Sequence, residues 1–375
     1  MAQTVEVRQS LQLSNVEIGP DRAASEPPRA SHGGVSLRVE DGEMLAVAGA
    51  PGFGGTALTR LVAGLAHPQS GRVLVDGVDV TTVEPVRSPV GLVPVDGGLL
   101  PQLTLDENMT YGARLAGEAN AVVRGRRDRL AERLELVPSL ALRPHEVSSG
   151  QRIRTALARV AMRRVPPRVL VVDATAGAGR MAGLRPMIDR VWGRSGISVL
   201  ACTRAPAVVD QADRLVWVES GQVAWTRSLD RVRQRPPQLA VAELALAGPV
   251  ARLDGVARGG EADCAGLRLP IPPVGPDGRR IIILLTADAT ELGPLEHGVA
   301  AVVAAIDQRE STAQVLVEPA GRAGERWPAR PPGTARLGLR RGDRVGVRVL
   351  ADRVFVFDGE SPGHPLLVPP TWADR

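Results

Sequence analysis

An apolar strand that runs into a glycine-rich turn and then a helix constrains this chain more than any other feature. Residues 46–58 read Ala-Val-Ala-Gly-Ala-Pro-Gly-Phe-Gly-Gly-Thr-Ala-Leu. Glycines in such a turn let successive backbone N–H groups point into one cradle, with the positive end of a helix behind it. The spacing fits the phosphate-binding pattern G-x-x-x-x-G-K-[ST] at Gly49, Gly54 and Thr56. The lysine position is Gly55. No lysine elsewhere can substitute, because all 46 residues in the Lys+Arg count are arginine. The turn therefore dictates an α/β layer while leaving its usual chemistry in question.

A chain of 375 residues is long enough for two domains or more. Its 44% apolar content supplies a sizeable core, although Tyr111 is the only tyrosine. The net charge of +5 is that of a solvated basic surface, or of one that meets an anionic membrane face. Nucleic acid is the less favoured partner, because no basic stripe is interleaved with aromatics. Cys202 and Cys264 stand far apart and outside any metal-like spacing, as reduced structural cysteines do. Met1–Gln9 carries charge and no apolar core, unlike a signal peptide. No run of 18 apolar residues exists, so any membrane role is expected to come through a partner. His67, His145 and His297 share no ligand spacing.

Residues 11–18 and 35–48 read as strands by near-alternation of apolar positions, with a Pro/Ala/Ser-rich loop between Gly19 and Gly34, and Met44–Ala48 reads as a buried strand ending in the glycine-rich turn. Thr56–Leu65 reads as a helix with Leu58, Leu61, Val62 and Leu65 on one face. A hairpin turns at Asp76–Gly77. Residues 103–165 are helical in pattern with arginine-rich faces. Arg168–Val172 and Ile197–Cys202 are apolar strands, and Arg214–Trp225 is a hairpin around Ser220–Gly221, with Trp217 and Trp225 as packing residues. Strands alternating with helices imply a parallel sheet covered on both faces. From Gln234–Pro237, read as the opening of a linker, the character changes. Short β runs between Gly/Pro turns predict a second, all-β domain of small-barrel type, whose stretches 248–292 and 297–358 have the look of tandem copies.

The order of motifs resembles the ATP-binding subunits of ABC transporters, especially importer subunits with a C-terminal TOBE (OB-like) domain. Gly42–Glu43, the glycine-rich turn, Leu61–Gly64, Gly71 through Gly77, Leu99, Pro101, Leu103–Thr104 and Glu107–Asn108 stand in the family's order. Val147–Ser148–Ser149–Gly150–Gln151–Arg152 is similar to the signature L-S-G-G-Q, and Ala156–Arg159, the strand ending in Asp173, Ala212–Arg214 and Gly221 follow. Gly342–Val345 and Arg353–Asp358 resemble the TOBE ending. The resemblance implies an α/β, P-loop ABC-type ATP-binding domain over residues 1–235, with a helical subdomain at about 96–165, followed by the β domain over 236–375.

By that resemblance Gly49, Gly52, Gly54, Gly55 and Thr56 would cradle ATP, and Thr56 and Asp173 would hold Mg²⁺. Several expected residues are replaced. The lysine is Gly55, which removes a charge-assisted bond worth about 1.5–3 kcal/mol, or roughly one to two decades of affinity. The water-activating glutamate is Ala174, which has no acid–base capacity. The glutamine that senses the γ-phosphate falls at Val95, the switch histidine at Arg204, and the adenine-stacking aromatic near Pro20, where none exists. The segment that is usually S-A-L-D after a proline reads Ala176–Gly177–Ala178–Gly179. Ser148, Ser149, Gly150 and Gln151 survive at a helix start. There a serine is an ordinary N-cap, and in ABC dimers it also meets the opposite subunit's γ-phosphate.

These features imply an ATP-binding-type subunit with weak or absent ATP and Mg²⁺ binding and little hydrolysis of its own. Its partners would be a second ATP-binding subunit, transmembrane permease subunits docked on 103–165 and, through them, a solute-binding protein. It would be cytoplasmic and peripheral on the inner membrane face. The alternatives are a slow homodimeric ATPase, or a regulatory module whose Arg340, Arg341 and Arg344 meet a small anion.

Overall fold

The computed structural model describes residues 9–17, 34–94, 96–175, 181, 183–193, 196–246, 248–296, 298–307, 314–331, 339–361, 363 and 365–367. The chain divides into two compact units, Met1–Leu229 and Asp230–Arg375.

The first unit carries β1 (Gln9–Val16), β2 (Val35–Glu40), β3 (Met44–Gly49), α1 (Gly55–Val62), β4 (Arg72–Val75), β5 (Val78–Asp79) and β6 (Val90–Val93). Then come α2 (Leu105–Leu115), α3 (Asn120–Arg133), α4 (Ser149–Ala161), β7 (Val169–Ala174), α5 (Leu184–Trp192), β8 (Ser198–Thr203), α6 (Pro206–Val209), β9 (Arg214–Glu219) and β10 (Gln222–Ser228). One sheet has the order β2-β1-β4-β5 and is antiparallel. The other has the order β10-β9-β3-β8-β7-β6, parallel except for the β9–β10 hairpin. Every residue of β3, β7 and β8 is buried, the mark of parallel strands covered on both faces. Leu11, Leu13 and Val39 from the first sheet meet Leu45, Val47 and Leu58 in one core.

The run 35–48 is two strands, and the buried strand read at Met44–Ala48 is β3. A turn at Asp41–Gly42, with Gly42 at φ 73°, breaks the run and sends β2 and β3 into different sheets. The turn is pinned from outside. Met44 N–H donates to Asp213 Oδ2 at 2.7 Å, and Gly42 N–H to Ser198 Oγ at 2.9 Å. Trp217 and Trp225 stack across the β9–β10 hairpin with centroids 6.3 Å apart.

The arginine-rich region predicted to be helical resolves into α2, α3 and α4 around Leu105, Met109, Val123, Leu134 and Ala158. Helix α2 opens with a capping box between Thr104 and Glu107. Behind it Asn108 is wholly buried. Its amide donates to the carbonyls of Leu100, Leu103 and Thr104 and accepts from Leu100 N–H at 2.7 Å.

Helix α7 (Leu229–Gln234) crosses the boundary between the units. The second unit then adds α8 (Leu239–Ala245), where the sequence reads as a linker. Leu239 and Ala242 of α8, with Leu246, are buried against Ile282, Leu284, Phe355 and Phe357, so this stretch belongs to the β domain's core. The strands are β11 (Ala251–Arg258), β12 (Glu261–Cys264), β13 (Leu267–Pro270), β14 (Arg280–Leu285), β15 (Thr290–Gly293), β16 (Val299–Asp307), β17 (Gln314–Pro319), β18 (Trp327–Ala329), β19 (Arg344–Val349), β20 (Phe355–Asp358) and β21 (Pro365–Leu367). Their orders are β13-β12-β11-β14-β20-β21 and β15-β19-β16-β17-β18. Hydrogen bonds from Leu292 N–H to Arg330 O and from Arg330 N–H to Thr290 O draw the two edges of the second sheet together, giving an OB-like barrel. The stretches 248–292 and 297–358 interleave, since β20 pairs with β14 and β15 pairs with β19.

Candidate functional site

Strand β3 delivers the chain into the glycine-rich turn at Gly49. A Cβ there would stand 2.4 Å from the Val218 carbonyl oxygen on β9 and 2.6 Å from Phe53 Cβ, so only glycine fits. Gly52 and Gly54 have φ of 80° and 85°, the left-handed region that glycine enters without strain. Gly54 caps α1 and no side chain closes that helix end. The turn therefore keeps a cradle of backbone donors suited to an anion.

The cation side of the cradle is built differently. Gly55 opens α1, buried, and a Cβ placed on it would lie 2.5 Å from Phe53 Cζ, 2.9 Å from Phe53 Cε2 and 2.8 Å from Thr175 Cγ2. The phenyl ring of Phe53 thus spans the turn from Gly49 to Gly55 and packs against the sheet core. Next to it, Thr175 Oγ1 donates to Asp173 Oδ1 at 2.7 Å and lies 3.0 Å from Thr56 Oγ1. Since the single proton of Thr175 goes to Asp173, Thr56 donates to Thr175. The two residues expected to hold Mg²⁺ are thereby joined through a third hydroxyl. The backbone cradle fits a phosphate, Thr56 and Asp173 offer the hard oxygens that Mg²⁺ takes, and position 55 supplies no cationic side chain.

At the end of β7, Ala174 is 4% exposed, and its carbonyl accepts from Thr203 Oγ1 at 3.3 Å. Thr203 Oγ1 also accepts from Ala205 N–H, which sets the turn on which Arg204 stands exposed. Cys202 lies on β8 in register with Asp173. Burial, reinforced by the Asp173 carboxylate, pushes its thiol far above the ordinary range and makes it inert.

The signature-like loop is held by a second capping box. Ser148 Oγ accepts from Gln151 N–H at 3.3 Å, and Gln151 Oε1 accepts from Ser148 N–H at 2.9 Å. Gln151 Nε2 donates onward to Ser139 Oγ at 2.6 Å. Ser148 is exposed while Val147 before it is buried. A Cβ on Gly150 would meet only Ser148 Oγ, at 3.9 Å. Nothing among the described residues requires glycine there.

Between α2, α4 and the β6 edge lies a groove of about 250 Å³ whose lining includes Leu65, Leu92, Tyr111, Val160 and Met162. Leu65 and Tyr111 are 51% and 47% exposed. Arginines of and just beyond α4 tie its walls together. Arg159 donates to the carbonyls of Gly97 and Gly98 at 2.8 and 2.7 Å, and Arg163 to those of Pro85 and Ser88 at 2.6 and 2.8 Å. Burial lowers both guanidinium pKa values from the ordinary range.

The fold thus brings Gly49, Gly52, Gly54, Gly55, Thr56, Asp173 and Ala174 to one end of the parallel sheet, and sets Ser148, Ser149, Gly150 and Gln151 on the helical subdomain. Val95, Pro20, Ala176–Gly179 and His297 lie outside the described residues. Arg340, Arg341 and Arg344 are exposed around the turn before β19. Sequence reasoning missed Phe53 and Thr175. The available signal was an aromatic between two glycines, in a chain with three phenylalanines, beside the lost lysine.

Residues 33–176 match the family described as ABC transporter. The chain is 32% identical to the Fe(3+) ions import ATP-binding protein FbpC of Streptomyces coelicolor over 76% of its own length and 82% of that protein. It is 30% identical to the spermidine/putrescine import ATP-binding protein PotA of Acidothermus cellulolyticus, over 64% of its length and 66% of that relative. In fold it is similar to cbiO1 from Clostridium perfringens, part of an ABC transporter complex, with a TM-score of 0.50 at 20% identity, over 61% of this chain and 96% of that one.

Proposed function

Because the chain belongs to the ABC transporter family, we propose that it is an ATP-binding-type subunit of a membrane importer whose own phosphate site is degenerate, and that its Ser148–Gln151 loop completes the site of a second, competent ATP-binding subunit. One contrast carries the reading. The cradle has lost its cation and its water-activating acid at Gly55 and Ala174, while the loop that would serve a partner keeps its serine, glycine and glutamine.

The loop's chemistry supports this. Ser148 and the N-terminal N–H groups of α4 form a helix end that favours an anion, and the capping box sets the hydroxyl there. Gly150 lies on the same exposed turn with no internal steric need for glycine, which suits a phosphate or a partner's backbone arriving from outside. The chain's own residues would orient and bind the partner's γ-phosphate, and proton transfer would belong to the partner. The apolar groove beside Tyr111 is suited to a permease's cytoplasmic helix. Importer function rests on the relatives named above, whose cargoes differ. Binding of ATP with Mg²⁺ in this cradle is weak in this reading, and the protein sits peripherally on the cytoplasmic membrane face. No helix among the described residues is long and apolar enough to cross a membrane.

The test is Mg-ATP hydrolysis by the purified chain alone and after co-purification with its partner subunit. Background turnover alone, and turnover in the pair that drops on Ser148→Ala, supports the proposal. Brisk hydrolysis by the isolated chain, lost on Thr56→Ala, overturns it in favour of a homodimeric ATPase.

A further inference from the structure

We propose that Phe53 and Thr175 are the residues that close the phosphate cradle, so that the missing lysine cannot be restored at Gly55 unless they are cut back. This rests on the reading of the cradle as degenerate and says what holds it so. A lysine at position 55 would start from a Cβ that meets Phe53 Cζ at 2.5 Å and Thr175 Cγ2 at 2.8 Å. Distances under about 3 Å to carbon force one group to move, and overpacking of this kind is destabilising. The phenyl ring is not free to swing into solvent at no cost, because it packs on the sheet core.

Phe53 thus fills space that a lysine stem would otherwise need. Losing a side chain at a packed helix start leaves a void, and voids are destabilising. The ring removes that void from the neighbouring position. Thr175 does the matching work on the polar side. Its hydroxyl lies within hydrogen-bonding distance of both Thr56 Oγ1 and Asp173 Oδ1, so the two oxygens are satisfied by the protein itself. The cradle is stable without a triphosphate, as a subunit acting only through its other face requires.

The experiment compares Gly55→Ala and Gly55→Lys in the full-length chain and in a background opened by Phe53→Leu and Thr175→Ser. Leucine keeps the apolar contact with the core but lacks the Cε and Cζ atoms that meet position 55. Serine keeps the hydroxyl and removes the methyl. In thermal unfolding, Gly55→Ala should lower the midpoint clearly in the wild-type background and much less in the opened one. Titration with a fluorescent ATP analogue and Mg²⁺ should show Gly55→Lys binding about 10-fold or more tightly in the opened background than in the wild-type one. Equal midpoint drops, or equal nucleotide affinities whether both bind or neither does, overturn the proposal. If the doubly opened background fails to fold, Phe53→Leu alone carries the same comparisons. Failure here leaves the hydrolysis test of the preceding section untouched, and the reverse also holds.

Discussion

At the scale of single residues, the site is decided by contacts within a few ångströms of two glycines. Gly49 is fixed by the Val218 carbonyl, 2.4 Å from where a Cβ would stand. Backbone cannot step aside as a side-chain tip can. Gly49→Ala should therefore destabilise the first unit by about 1–3 kcal/mol, read as a lower midpoint in denaturant unfolding followed by circular dichroism. Asn108 makes a different kind of demand. It satisfies the backbone of the 100–104 turn with its amide, and removing it takes the side-chain partner from the Leu103 carbonyl and the Leu100 N–H. Asn108→Ala should cost about 1–3 kcal/mol, and an unchanged midpoint would show that water replaces the amide. Both positions were visible in the sequence as family-ordered motif residues, but their reasons were not. Those reasons are an approach from Val218, far along the chain, for one, and the local carbonyls of Leu100, Leu103 and Thr104 for the other.

At the scale of elements, α4 separates a structural role from a functional one. Ser148 is an N-cap, and Ser148→Ala should cost about 1 kcal/mol of stability whatever its other role. Gly150 lies in the first turn of the same helix with open space around it. Gly150→Ala should leave stability unchanged or raise it by up to about 1 kcal/mol, and should lower hydrolysis by the assembled pair at least severalfold. Loss of stability together with activity would mean that the glycine serves the fold. The helix start was legible from S-x-x-Q spacing, and so were the strand ends at Gly49 and Asp173. The alternation of Val35, Leu37 and Val39 stops at Asp41 and Glu43, so the start of β3 at Met44 was legible as well. Only the pairing of β2 with β1, and of β3 with β8 and β9, shows that two sheets claim the two halves.

At the scale of the molecule, the exposed apolar groove beside α2 predicts where a permease would seat. Tyr111→Glu changes a side chain that is nearly half exposed, so the isolated protein should keep its unfolding midpoint. Co-purification with the permease should fall sharply. Retained co-purification with an unchanged midpoint would move the docking surface elsewhere on the chain. The second unit is a nearly closed β domain with α8 in its core, and residues 235–237, expected to open a linker, lie between α7 and α8. Proline and polar residues there signal a boundary by composition, but the apolar face of Leu239, Ala242 and Leu246 becomes meaningful only when Phe355 and Phe357, more than 100 residues later, arrive against it.

By itself, the order of short motifs along the chain determined the family and the fold class, and it put glycine at 55 and alanine at 174, because each depends on residue type at a fixed spacing. Tertiary structure alone decided what surrounds those positions. The ring of Phe53 and the hydroxyl of Thr175 reach the cradle through side-chain direction and strand pairing, and neither is encoded in spacing. A pattern records which groups are missing from a site, and packing determines which neighbours fill the room they leave.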